Sequence, residues 1–152
     1  MKIKLLIFNI ALSLGGGALV GLLISNSATA YAALNLPVFA PAGYIFPIVW
    51  TILYLLIGVS GYLIMISDHP NKSKAIKLYL VQLLVNFLWP FFFFTLHAYL
   101  FSFFWIILLW LLVFYLIFLF YDIDETASYL LVPYLLWITF ASILNICIYY
   151  MN

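Results

Sequence analysis

The nine charged residues of this chain fall into three short clusters, and their spacing constrains the fold more than any other feature. Lys2 and Lys4 form the first, Asp68 with Lys72, Lys74 and Lys77 the second, and Asp122, Asp124 and Glu125 the third. Between them run the charge-free stretches 5–67, 78–121 and 126–152. A helix needs about 20 apolar residues to cross a bilayer. The first stretch therefore holds two spans and a loop, the second two spans and a tight turn, and the last one. Composition agrees, because a chain that is 70% hydrophobic and 6% charged has too little polar surface for a soluble domain of this size. The expected fold is all-α, a five-transmembrane-helix bundle forming a single domain over 1–152, with helices near 3–25, 43–66, 74–95, 99–120 and 126–150. Residues 26–42, punctuated by Pro37 and Pro41 yet too apolar to extend into water, are expected to fold over the helix ends as a lid loop.

The opening M-K-I-K, the apolar run and A-T-A at 28–30 have the outline of a secretory signal. The run at 5–24 exceeds the usual h-region of about 7–15 residues, so it is expected to remain as the first span. All five lysines lie on one side of a five-span arrangement. The positive-inside rule makes that side cytoplasmic, with the N-terminus inside, and the membrane expected is a bacterial cytoplasmic membrane. The single cysteine, Cys147, excludes an internal disulfide and a cysteine-based metal site. No basic stripe suggests nucleic acid.

Polar and aromatic residues are placed on particular helix faces. In the last span Tyr134, Trp137, Ala141 and Asn145 follow at steps of three, four and four, on one face. In the third, Gln82, Asn86, Trp89 and Pro90 share a face, and intramembrane amides are expected to point into the bundle. In the second, Pro47, Trp50, Tyr54, Gly58 and Gly61 do the same. Given the orientation and a rise of about 1.5 Å per residue, these faces lie at one depth, in the half of the bundle beneath the lid. They outline a pocket of indoles and amides, in which Ala141 leaves room. Pro90 is expected to kink the third span. The fourth is expected to be a packing and lipid-facing helix without polar intramembrane groups. Gly17 and Gly21 form a G-x-x-x-G in the first, for contact within the bundle or across a dimer.

Four segments carry a resemblance: Y-A-A-L-N-L-P-V-F-A-P-A (31–42), V-W-T-I-L-Y (49–54), Q-L-L-V-N-F-L-W-P-F-F-F (82–93) and V-P-Y-L-L-W-I-T-F-A-S-I-L-N (132–145). In order and spacing they resemble the TspO/MBR family, the tryptophan-rich sensory proteins and mitochondrial translocator protein or peripheral-type benzodiazepine receptor. The resemblance implies a five-helix membrane bundle, commonly a homodimer among membrane lipid, that binds a porphyrin or haem ligand. It implies pocket residues Trp50, Tyr54, Asn86, Trp89, Trp137 and Ala141. Periodicity adds Asn145, and the lid contributes Leu34, Pro37, Phe39 and Pro41. Departures lie mainly in the lid, where Leu36, Phe39 and Ala42 replace the family's usual lysine, tryptophan and proline. An acidic residue of the family's fourth helix is replaced near Trp105. The vertebrate cholesterol motif is incomplete, since Met151 and Asn152 follow Tyr149 and Tyr150.

The expected function is therefore a sensor or carrier binding flat tetrapyrroles, indoles stacking on the macrocycle and amides meeting its polar edge. The alternative is light-dependent porphyrin breakdown in the same pocket. No nucleophile–base pair or metal cluster supports ordinary catalysis, and neither catalytic residues nor a resident cofactor is expected.

Overall fold

The computed structural model describes residues 2–152, and its elements are helical throughout. Five helices are long and apolar enough to span a membrane: α1 (Lys2–Leu23), α3 (Ile45–Ile66), α4 (Lys72–Thr95), α5 (Tyr99–Tyr121) and α6 (Glu125–Met151). A short helix α2 (Ser27–Ala32) lies in the segment expected to be a loop throughout. Six small or polar residues, S-A-T-A-Y-A, give too short a pattern to show helical periodicity, and the turn is held by tertiary contact through the buried Tyr31.

Two spans contain a wide, π-type turn. In α1 it occupies Ala11–Gly15 and includes buried Ser13, whose hydroxyl donates to the Tyr54 carbonyl at 2.7 Å. In α4 it occupies Phe91–Thr95, directly after Pro90. Proline has no N–H to continue the ladder, and here the helix widens after it, Leu96 N–H reaching Phe91 O at 2.9 Å. The last span is interrupted rather than continuous. Its first turns end at Leu130, Leu131 forms a turn, and a second segment runs from Val132 with Pro133 in its opening turn. Asp124 caps the start, its carboxylate accepting from Ala127 N–H at 2.8 Å.

Small residues set the closest approaches. Gly58 of α3 lies against Ile10 and Ser13, Gly17 of α1 against the Tyr54 ring, and Gly61 of α3 against Tyr79. A Cβ added at Gly21 would meet no neighbouring element within 4 Å among the described residues. Only one member of the G-x-x-x-G pair therefore packs, and it packs inside the bundle. Around this seam α1 lies along α3, α5 lies along α4 and α6, and α3 meets the beginning of α6. Ser60 Oγ donates to the Ala127 carbonyl (2.7 Å) and Ser128 Oγ to the Ile117 carbonyl (2.7 Å), tying that junction to α3 and α5. The main core runs between these helices and holds Ile57, Leu83, Ile106, Val113, Tyr134 and Ile138, with a smaller core of Tyr31, Phe93, Leu144 and Ile148 under the lid.

Candidate functional site

Three helices bring their polar faces together as periodicity predicts, and the side chains engage one another. The Tyr54 hydroxyl donates to Asn86 Oδ1 (2.6 Å), and Asn86 Nδ2 donates to the Tyr134 oxygen (2.6 Å). Tyr134 in turn donates to Gln82 Oε1 (2.9 Å). All four side chains are buried. In a membrane interior, where water cannot substitute, such pairing is required of polar groups. Gln82 Nε2 ends the row without a partner among the described residues. Trp50 is stacked on Tyr54 at 5.3 Å between ring centres and meets Tyr134 edge-on at 6.2 Å.

Trp89 and Asn145 form a second group nearer the lid. The Trp89 indole N–H is shared between the Ser102 carbonyl (3.1 Å) and Asn145 Oδ1 (3.2 Å). Ser102 Oγ also donates to Asn145 Oδ1 (3.1 Å), while Asn145 Nδ2 donates to the Tyr99 carbonyl (2.8 Å). The α5 helix thus carries a polar group after all, the fully buried Ser102. One serine among phenylalanines gives no periodic signal, and only its partner Asn145 could have pointed to it. Tyr134 lies on the predicted face of the last span. Its central role becomes visible only when the bond from Asn86 is seen.

The tryptophans separate by what their N–H groups do. Trp105 donates to the Val85 carbonyl (2.8 Å) and Trp110 to Thr139 Oγ1 (2.8 Å), fastening α5 to α4 and α6. Trp89 is bonded as described. The Trp137 N–H is buried without a partner among the described residues. Beside it an apolar cleft of about 400 Å³ opens between α3 and α6, lined by Val49, Ile52, Leu53, Pro133, Leu136 and Trp137. Ile52 and Leu136 on its rim are exposed, so the cleft faces the surroundings of the bundle. Ala141, one turn beyond Trp137, is buried in the main core.

The lid packs onto this region. Leu34, Leu36 and Ala40 rest on the smaller core. Pro37 O accepts from Ala40 N–H (2.9 Å), closing a tight turn whose tip, Val38, is fully exposed. Pro41 O accepts from the Tyr31 hydroxyl (2.9 Å), and burial pushes that phenol's ionisation up, so it remains a donor. Aromatic contacts carry the lid to the site: Phe39 meets Phe140 at 6.3 Å and Phe140 meets Trp137 at 5.4 Å. Phe46 meets Trp137 at 5.8 Å and Tyr31 at 5.1 Å. Asn35 and Asn152 exchange hydrogen bonds at 2.9 and 3.0 Å, latching the lid to the end of α6.

These features define an integral membrane protein, a five-span bundle with an aromatic and amide interior under a folded lid. The sequence profile of the TspO/MBR family matches residues 9–151, and the chain belongs to that family. Over 124 residues it is 40% identical to the tryptophan-rich protein TspO of Archaeoglobus fulgidus, covering 82% of this chain and 80% of that one. Over 124 residues it is 33% identical to Protein CrtK of Rhodobacter capsulatus, covering 80% and 78%. The human translocator protein is 30% identical over 131 residues, covering 78% and 72%.

Proposed function

We propose that this chain binds a flat tetrapyrrole, porphyrin or haem, as a sensor or carrier, with Trp137 at the centre of the site. The observation that supports this most directly is Trp137, whose side chain lines an apolar cleft while its buried N–H has no acceptor among the described residues. A buried unsatisfied donor costs about 1–3 kcal/mol. A macrocycle entering between α3 and α6 would lie on the apolar wall, and a turn of the Trp137 ring toward it would give that N–H an acceptor. In this reading Trp50, Tyr54, Asn86 and Ala141 form the inner part of the site. Trp89, Asn145 and the lid residues Leu34, Pro37, Phe39 and Pro41 shape its outer end. The proposal keeps the homodimer and surrounding lipid that the family resemblance implies, in a bacterial cytoplasmic membrane with the lid outside.

Trp137→Phe keeps an aromatic ring and removes the N–H. Protoporphyrin IX quenching titrations should show affinity falling by up to about tenfold, the value of one hydrogen bond. The unliganded variant should keep or raise its thermal midpoint, because an orphan donor is gone. Trp110→Phe, whose N–H has Thr139 as partner, should leave the affinity unchanged. Equal affinity in all three proteins would remove Trp137 from the site. Repeating the titration under illumination tests the alternative of porphyrin breakdown: a new absorbing product would favour it.

Orientation has its own test. In a Cys147→Ala background, an impermeant thiol reagent added outside cells should label Tyr150→Cys and spare Asn71→Cys, both exposed positions. The reverse pattern would place the lid in the cytoplasm.

A further inference from the structure

At the lysine-bearing end of the bundle an open cleft of about 480 Å³ is lined by His69, Pro70, Lys72, Ser73, Ile76 and Lys77. We propose that this cleft binds the phosphate of an anionic phospholipid headgroup. No lysine of the cluster is ion-paired among the described residues. Lys74 is directed elsewhere, its ammonium donating to the Tyr115 hydroxyl (2.6 Å) and lying over that ring at 5.3 Å. Lys72 is held at the cleft by one bond, to the Ser67 carbonyl (3.0 Å), which leaves its other N–H donors available. Lys77 is exposed and carries no side-chain hydrogen bond among the described residues. His69 Nδ1 accepts from Asn71 N–H (3.1 Å), so the proton of the neutral ring sits on Nε2, a further donor. Asp68, the nearest acid in sequence, is exposed and does not line the cleft.

Two ammonium groups, a ring N–H and the Ser73 hydroxyl make a donor set suited to a phosphate ester. What favours a lipid over a free phosphate is the surface below. Leu80, Val81 and Leu84 follow Lys77 at three, four and seven residues, on the same side of α4, and are 44%, 47% and 60% exposed. They lie about 5–10 Å deeper along the helix, where the acyl chains of a lipid held at Lys77 would run. Polar cleft and apolar strip match the two parts of one amphiphile, and basic clefts of this kind at a membrane surface attract anionic headgroups.

The test uses purified full-length protein in nanodiscs of phosphatidylcholine with increasing phosphatidylglycerol, with retained lipid read by native mass spectrometry after release into detergent. The protein should retain phosphatidylglycerol in preference to phosphatidylcholine. The Lys72→Gln/Lys77→Gln double variant should lose that preference by about tenfold to thirtyfold, since each lysine near the surface contributes about a fivefold attraction. Lys2→Gln/Lys4→Gln, which removes the same charge from the same end, should keep it. Lys77 is exposed, and Lys72 is half-buried with a single bond to the protein that glutamine can also donate, so thermal midpoints should change little while the preference is lost. Equal losses in the two double variants would reduce the effect to net charge and overturn the site. Displacement of the lipid by millimolar inorganic phosphate would assign the cleft to a free anion and overturn the lipid assignment.

Discussion

Asn86→Leu should lower the stability of the unliganded protein by roughly 1–3 kcal/mol, and Gln82→Leu should change it by less than about 1 kcal/mol. The two amides share a helix face and are both buried, so residue type and depth give no reason for the difference. Hydrogen-bond accounting does. Asn86 is bonded on both sides, accepting from Tyr54 and donating to Tyr134, each at 2.6 Å. Leucine would leave the Tyr54 hydroxyl without an acceptor in a place water does not reach. Gln82 accepts one bond from Tyr134 while its own Nε2 is unpartnered among the described residues. Replacing it exchanges one orphan donor for another. Thermal unfolding in a fixed detergent would check the pair, and equal midpoints would show that the row does not hold the helices together.

Gly58→Ala should cost roughly 1–3 kcal/mol and Gly58→Leu more, by overpacking the α1–α3 seam. A Cβ built on Gly58 would lie 2.9 Å from Ile10 Cα and 2.7 Å from Ser13 Oγ. The first of these is backbone inside a helix, which cannot rotate aside. Relief requires moving α1 away, and that breaks the bond from Ser13 to the Tyr54 carbonyl. Gly21→Ala provides the control, because a Cβ there would meet no neighbouring element within 4 Å among the described residues. It should be neutral within about 0.5 kcal/mol. A Gly58→Ala protein as stable as Gly21→Ala would mean that α1 docks loosely.

The five spans are legible in the sequence because charges are excluded from hydrocarbon, and the three charged clusters mark five of the ten span ends. Their interruptions are less so. Pro90 announces a distortion, but whether the helix bends or widens depends on whether a neighbouring turn can re-bond, and here Leu96 N–H does so. Likewise Pro133 signals the junction in the last span only after Leu131 is seen to leave the helix. Period and depth also gather Trp50, Tyr54, Asn86, Trp137 and Ala141 into one region. They do not reveal which donor meets which acceptor. Ala141 reads as empty room and is buried in the core, since the space beside a small residue is determined by side chains on other helices. Ser102 illustrates the same limit, its role being defined by Asn145, 43 residues away.

The row Tyr54–Asn86–Tyr134–Gln82 has a further property: every donor in it points the same way, from α3 toward Gln82. Turning both amides over and swinging both hydroxyls would give a mirror-image row with the same number of bonds, Gln82 donating to Tyr134, Tyr134 to Asn86 and Asn86 to Tyr54. Only the ends would differ. In the observed sense the surplus hydrogen is at Gln82 and the Tyr54 oxygen has a lone pair free beside Trp50. In the reversed sense the surplus hydrogen would be on Tyr54. The same four residues can therefore present at Tyr54 either a hydrogen-bond acceptor or a hydrogen-bond donor, with no atom added and no helix moved.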